Sequence, residues 1–585
     1  MRTPDLLTPR SFLTAILICV AFWVAPTQAQ SDVGPKASTV GTPIANAEGN
    51  SPMSSVPANS NEIEEMKADL ARQQKEILDL QRTVDRQQKL IEQLLHFSAT
   101  TKPDEESTVA IIQPAATTLQ PTGTAAIGPP PAESSAVEPI RKVKDSKQDN
   151  GSPLTFRLGN IYLTPAGFFD FTAFVRDRNV GSGLGTNFGG IPISNTPAGN
   201  LSEVRFSAQN SRIALRLDTK FRGNDVLGYL ETDFNGFAPT NVAVTTNSNG
   251  PRLRLFWLDV RRKKWEFLGG QSWSLLTPNR SGLSPLPANV FSTLNLDPNL
   301  QVGMVWNRDP QFRVVYHANR TMTLGVALEA AEQYGGGSAG AGEITLPASL
   351  VSAYGPQLDT GDSTFSAPNV HPDVIAKVAF DPTVGSRQLH FELAGLLSTV
   401  KFFNPQDQRT HSATGGGVSA GINYEVFKNF RLIGNGFYSD GGGRWIFGLG
   451  PDLIIKANGE PSLVHSASTV SGFEYQPTSN NLLDVYYGGA YVQKNTAIDL
   501  NGHFVGYGYD GSPSNHNRSI QEITFGYTRT FWRDPNYGAL QFITQYSYVV
   551  RHPWSVAVGD PSGAHVNMLY LDLRYLFPGA PPVVK

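Results

Sequence analysis

From Gly159 onward the chain is a succession of sixteen stretches in which apolar and polar residues alternate, and the way they are joined leaves few folds open. They fall at 166–176, 204–220, 225–236, 252–262, 265–274, 301–317, 321–331, 373–381, 387–401, 415–426, 430–439, 464–476, 481–494, 519–532, 538–551 and 564–577. A period of two means strands with two unlike faces. The connections alternate as well: 177–203 is long, 221–224 short, 237–251 long, 263–264 short, 275–300 long and 318–320 short. Tight turns alternating with long loops thread an up-and-down antiparallel barrel, and an even strand number lets it close. A sandwich has no reason to keep that rule. The stretch 301–317 contains Asp309-Pro310 and is read as one broken strand, because two would make the count odd.

The hairpin Ser211–Asn235 shows the two faces most plainly. Ile213, Leu215, Leu217 and Phe221 alternate with Arg212, Arg216, Asp218 and Lys220, and Glu231 and Asp233 share one face of the returning strand. Arg222-Gly223-Asn224-Asp225 supplies the glycine and asparagine of a tight turn. Charge of both signs on one face, with aromatics and leucines on the other, suits a sheet closed round water with its outside in lipid. Leu569, Leu571, Leu573, Tyr575 and Phe577 keep the same phase against Tyr570, Asp572 and Arg574. In 252–262 the phase slips, with Arg252 and Arg254 on one parity and Asp259 and Arg261 on the other, which a β-bulge near Phe256 accounts for. The 56 glycines, 32 phenylalanines and 19 tyrosines fit such a barrel with aromatic girdles, expected at Trp445, Trp532, Tyr537, Trp554 and Tyr575.

Upstream the organisation changes. Residues 1–29 read as a signal peptide: Arg2 and Arg10 precede the apolar run Phe12–Ala25, and Thr27-Gln28-Ala29 offers a cleavage site. The only cysteine, Cys19, lies within it, so the mature chain has no disulfide. Residues 30–60 are small and polar and read as disordered. Over 61–97 a heptad runs in register, with Ile63, Leu70, Ile77, Val84 and Ile91 at one core position and Met66, Gln73, Leu80, Gln87 and Leu94 at the other. That pattern specifies a coiled coil roughly 50 Å long, whose strand number the two glutamines leave open. A Pro-, Ala- and Thr-rich linker occupies 98–152, the barrel 153–577, and a C-terminal extension 578–585. The fold class is all-β and transmembrane: a 16-stranded antiparallel outer-membrane β-barrel preceded by an N-terminal α-helical coiled coil.

The hairpin Arg212-Ile213-Ala214-Leu215-Arg216-Leu217-Asp218 resembles the DcaP-like trimeric porins of Gram-negative outer membranes. So do Arg252-Leu253-Arg254, Gly270-Gln271-Ser272-Trp273-Ser274 and Trp306-Asn307-Arg308-Asp309-Pro310-Gln311-Phe312-Arg313. The resemblance spans the layout from leader to last strand. It implies a homotrimer in the outer membrane, a periplasmic coiled coil, and uptake of small organic anions such as dicarboxylates. Where such barrels end on a terminal aromatic, this chain continues past Phe577.

The candidate site is the lumen. Strand parity turns Arg212, Arg216 and Lys220 inward on the second strand, Arg252 and Arg254 on the fourth and Arg313 on the sixth. Glu231 and Asp233 face inward between them, and Arg308 and Arg574 join the pore-lining set. Guanidinium groups fork onto carboxylates and phosphates, so an arginine row beside acids would orient an anionic solute without trapping it. The same groups could instead pair only to satisfy a hydrated wall. In the third long loop Asn279, Arg280 and Asp297 are the constriction candidates if it folds inward.

Enzyme spellings are chance matches: Gly417-Val418-Ser419-Ala420-Gly421 lies in an alternating strand, and Gly506-Tyr507-Gly508-Tyr509-Asp510-Gly511 in an external loop with no helix after it. The histidines lack metal spacing, so no metal, cofactor or catalytic residue is expected. A net charge of −3 does not point to nucleic acid. The expected partners are copies of the chain, membrane lipid and small anions. The rival reading is a structural anchor whose coiled coil tethers the membrane to cell-wall peptidoglycan.

Overall fold

The computed structural model describes residues 152–236, 249–337, 340–358 and 366–579. The leader, the disordered segment, the coiled coil and all but the last residue of the linker lie outside these, as do residues 580–585. Sixteen strands form one closed antiparallel barrel. The first eight are β1 (Ile161–Arg176), β2 (Glu203–Ser207 and Arg212–Phe221), β3 (Asn224–Asp233), β4 (Arg252–Arg262), β5 (Trp265–Trp273), β6 (Arg308–His317), β7 (Met322–Glu329) and β8 (Asp373–Phe380). The rest are β9 (Arg387–Asn404), β10 (Arg409–Phe427), β11 (Phe430–Asp440), β12 (His465–Thr478), β13 (Asn481–Val492), β14 (Asn517–Asp534), β15 (Gly538–Pro553) and β16 (Ala564–Leu576).

Every strand expected from the alternation is present. The one read as 301–317 begins at Arg308, and its preceding residues belong to the loop. Closure runs from Phe168 opposite Leu576 to Arg176 opposite Met568. Beyond that register Phe577 donates its N–H to the Gly167 carbonyl, and its ring meets Phe169 at 5.1 Å, so the aromatic is built into the seam although the chain continues. The β2–β3 turn puts Arg222 and Gly223 both at positive φ, 49° and 80°, the primed geometry that matches strand twist. The slip in β4 is a bulge at Arg254, two residues before the expected place: Glu231 pairs Leu255 while Thr232 pairs Leu253. It turns Arg254 and Leu255 inward together.

Outside, Phe169, Phe171, Phe256, Val326, Leu328, Phe391, Leu393, Leu569, Leu571 and Leu573 stand exposed, and Phe312 is 75% exposed. An apolar band of that extent would be an aggregation surface in water and is what a bilayer requires. Among the described residues no helix is long and apolar enough to cross a membrane; the crossing is made by strands. Trp532, Tyr537 and Tyr575 sit on the outer face near the short turns, as girdle residues do. Trp445 does not. It is 0% exposed in the loop after β11, its carbonyl accepting the Trp306 N–H, and Trp554 is half-buried with its indole N–H on the Val492 carbonyl. An aromatic just past a strand end reads the same whether it meets the interface or folds back over the mouth.

The apolar core lies in the lumen. Inward-facing Val315, Ala327, Ile375, Ala394, Leu396 and Phe437 pack with Leu275, Leu276, Leu283, Leu296, Val302 and Val305 of the β5–β6 loop and with Trp445 and Ile446. A second cluster joins three long loops above the barrel, through Ile344, Leu350 and Tyr354, Leu453 to Ile455, and Tyr507.

Candidate functional site

The β5–β6 loop, Ser274 to Asn307, runs inside the barrel. Its leucines supply the apolar drive, but a loop buried there must also satisfy its backbone. It does so with carboxylates from the wall. Leu275 N–H donates to Glu329 of β7 at 2.7 Å, Asn279 N–H to Glu392 of β9 at 3.1 Å and Val302 N–H to Glu522 of β14 at 2.8 Å. Gly282 N–H donates to Asp381, just past β8, at 3.1 Å. On β13 glycine is needed at Gly488, because a Cβ there would collide with the Val302 carbonyl.

The three constriction candidates are tethers to different walls. Asn279 accepts from Lys377 of β8 at 2.9 Å, and that ammonium also meets Glu392 at 2.8 Å. Arg280 reaches across to β12, placing both terminal nitrogens on Glu474 at 2.8 Å, and lies over the Phe291 ring. Burial pulls the Arg280 guanidinium down, but the Glu474 charge outweighs it and holds the pKa above its ordinary value. Asp297, 0% exposed, accepts from Thr186 N–H at 3.1 Å and Tyr570 O–H at 3.1 Å, and burial raises its carboxyl against the pull of Arg176.

The inward arginines of β2 to β6 do not form a free basic row. Arg252 sits bidentate on Asp233 at 3.0 and 2.7 Å. Arg254 donates to Glu231 at 2.6 Å and Asp233 at 2.8 Å, and Arg212 stands 3.9 Å from Glu231. Arg308, at the mouth end of β6, stacks over Trp273 and Trp306, each at 5.4 Å; Arg254 shares the Trp273 ring at 5.8 Å. Within this cluster four guanidinium groups meet two carboxylates.

Of the other named residues, Arg574 adjoins the cluster, sharing the Phe168 ring with Arg212, and the rest lie elsewhere on the wall. Arg216 is bidentate on Asp218 at 2.8 Å, Lys220 is 3.4 Å from Asp225 near the short turn, and Arg574 holds Asp170 at 2.7 Å and Asp572 at 3.2 Å. Arg313 is buried and donates to Gln311 at 3.0 Å. Expected as a member of the row, it is held away from it by its own neighbours.

Sequence reasoning passed over Lys377 and Glu474 as site residues. Lys377 had a signal, since it is the one charge inside the apolar run of β8. Glu474 had a weaker one, an acid at inward parity whose partner lies far off in sequence. Ser419 points inward within β10, and 506–511 lies in the loop before β14, as their contexts implied.

No family model matches the chain, and no curated protein matches it. Among solved structures, the crystal structure of the outer membrane channel DcaP of Acinetobacter baumannii is similar at 17% identity and a TM-score of 0.53, covering 72% of this chain and 99% of that one. An anion-selective porin from Comamonas acidovorans matches at 12% identity and a TM-score of 0.39, covering 71% of this chain and 100% of that one, too distant to carry an argument. The fold is that of an outer-membrane porin barrel, with a loop folded into its lumen. At such identity the likeness to DcaP is one of fold.

Proposed function

We propose that the chain is an outer-membrane porin through which small hydrophilic, chiefly anionic and dicarboxylate-like solutes diffuse. The observation that supports it most is the cluster at Arg212, Arg252, Arg254 and Arg308, two positive charges in excess of Glu231 and Asp233, at the root of a lumen-crossing loop. Five of the lumen's other acids lie away from the cluster's strands and serve the inward loop. Glu329, Asp381, Glu392, Glu474 and Glu522 are each engaged by loop N–H groups or by Arg280. The cluster thus stands on a different wall from these carboxylates and presents a local positive field to the solute.

In this reading Asn279, Arg280 and Asp297 fix the constricting loop, Arg212, Arg252 and Arg308 face the solute with Arg254 buried on its two acids behind them, and Arg216, Lys220, Arg313 and Arg574 support the wall. The whole chain is a homotrimer in the outer membrane. A signal peptide (1–29) directs export, and a periplasmic coiled coil (61–97) on a 98–152 linker holds three copies together. Liposome swelling tests the transport claim. Vesicles carrying the purified protein should swell faster in a dicarboxylate salt than in a neutral sugar of similar size. Absence of swelling favours the anchor reading; faster swelling with cationic solutes overturns the anion assignment.

A further inference from the structure

We propose that the short-turn mouth of the lumen holds an oxyanion-binding pocket beneath the inward loop, built on Arg320 and Arg431, that takes a phosphate- or carboxylate-bearing solute as it leaves the channel. The proposal rests on the anion-channel reading and adds to it a second station on a different wall from the arginine cluster of β2 to β6. The pocket is a cavity of about 280 Å³ whose lining includes Arg280, Arg320, Thr383, His390, Asp381 and Arg431.

Its charge is lopsided, and the acids near it are already committed. Asp381 accepts from Gly282 N–H at 3.1 Å and from His390 at 2.9 Å, and His390 bonds Glu392 at 3.0 Å on its other nitrogen. Arg280 is satisfied by Glu474 and the Ser292 carbonyl. Glu425, cross-strand from Arg431, accepts the Asn429 N–H at 3.0 Å and stands 3.7 Å from Arg387.

Among the described residues no hydrogen bond or ion pair engages the guanidinium groups of Arg320 and Arg431. They come from separate elements, the β6–β7 turn and the first residues of β11, and line the same cavity. A guanidinium carries five donors and no acceptor, and two of them facing one polar cavity match the oxygens of a carboxylate or phosphate. Thr321, Thr383 and Gln388 add neutral donors around them. The pocket opens at the rim that carries the short turns, so a solute clearing the loop meets it last.

Bilayer recording with the full chain, and inorganic phosphate as probe, tests this. Phosphate titrated on each side in turn should reduce chloride current with a lower half-blocking concentration from one side than from the other. Arg320→Gln with Arg431→Gln should raise the lower value about tenfold or more and abolish the asymmetry, while Arg431→Lys alone should preserve it. Among the described residues neither guanidinium has a hydrogen-bond or ion-pair partner, so folding should be unaffected; heat stability of the assembled protein checks this. Equal block in wild type and double variant, or no block from either side, overturns the pocket. The reversal potential in the same bilayer separates that outcome from failure of the anion-channel reading, which predicts anion preference with or without the pocket.

Discussion

Arg280→Ala is the sharpest perturbation of the constriction. The guanidinium joins the inward loop to β12 through two 2.8 Å bonds to Glu474, whose side chain is 0% exposed. Removing it leaves that carboxylate buried with Tyr486 O–H, at 2.6 Å, as its remaining hydrogen-bond donor. Breaking a buried pair from one side costs about 3–5 kcal/mol, most of it the uncompensated charge. Arg280→Ala should therefore lower unfolding stability in detergent or lipid by that order and raise single-channel conductance, as the loop loses its far anchor. Adding Glu474→Ala removes the stranded charge and should recover most of the stability but not the conductance. If Arg280→Ala costs less than about 1 kcal/mol and leaves conductance unchanged, the guanidinium does not bridge the lumen and the constriction argument fails.

Four other outcomes are expected. Arg252→Ala with Arg254→Ala should weaken anion preference, and also destabilise the barrel, because Glu231 and Asp233 are 4% and 1% exposed; unchanged selectivity in reversal-potential measurements would assign these arginines to the wall alone. Burial pushes Asp452, in the loop after β11, up to about 7 despite Arg444 beside it. The packed loop thus binds a proton that the opened loop releases, so it loses stability as pH rises from the ordinary carboxylate range through about 7. Hydrogen exchange over 441–464 should be slower at pH 6 than at pH 8, after correction for intrinsic rates, and Asp452→Asn should flatten the difference. On whole cells an impermeant thiol reagent should label a cysteine at Gly337 and spare one at Asn224, the reverse pattern inverting the topology. Deleting 61–97 should leave folded barrels that crosslink less readily as trimers; a native protein that crosslinks only as a monomer would refute the coiled-coil assignment.

The strands were legible because lipid outside and water inside impose the same alternation on every one of them. Leu569, Leu571 and Leu573 against Tyr570, Asp572 and Arg574 is that rule in five residues and their successor. The bulge was legible as a phase slip but not to the residue, since the slip shows only once Leu255 and Trp257 have already changed parity. The tethers were not legible. Arg280 meets Glu474 and Asn279 meets Glu392 across more than a hundred residues of chain, and nothing local marks which inward acid a loop will choose. Parity turns the arginine row inward, yet it does not reveal that Asp233 takes two arginines at once while Arg308 rests on tryptophan rings. Trp445 was misplaced because its role depends on where the loop after β11 folds, which its own neighbours in sequence do not encode.

The central claim is that surplus guanidinium charge governs passage through this lumen. At an effective dielectric near ~20, one net charge ~8 Å from a passing anion is worth about 2 kcal/mol before salt screening. That is enough for a clear preference and too little for strict exclusion of cations. The reversal potential of the purified protein in a potassium chloride gradient reads this directly. It should take the sign of chloride preference and fall short of the ideal chloride value; a potential of the opposite sign, or a reconstituted protein that conducts nothing, would contradict the claim.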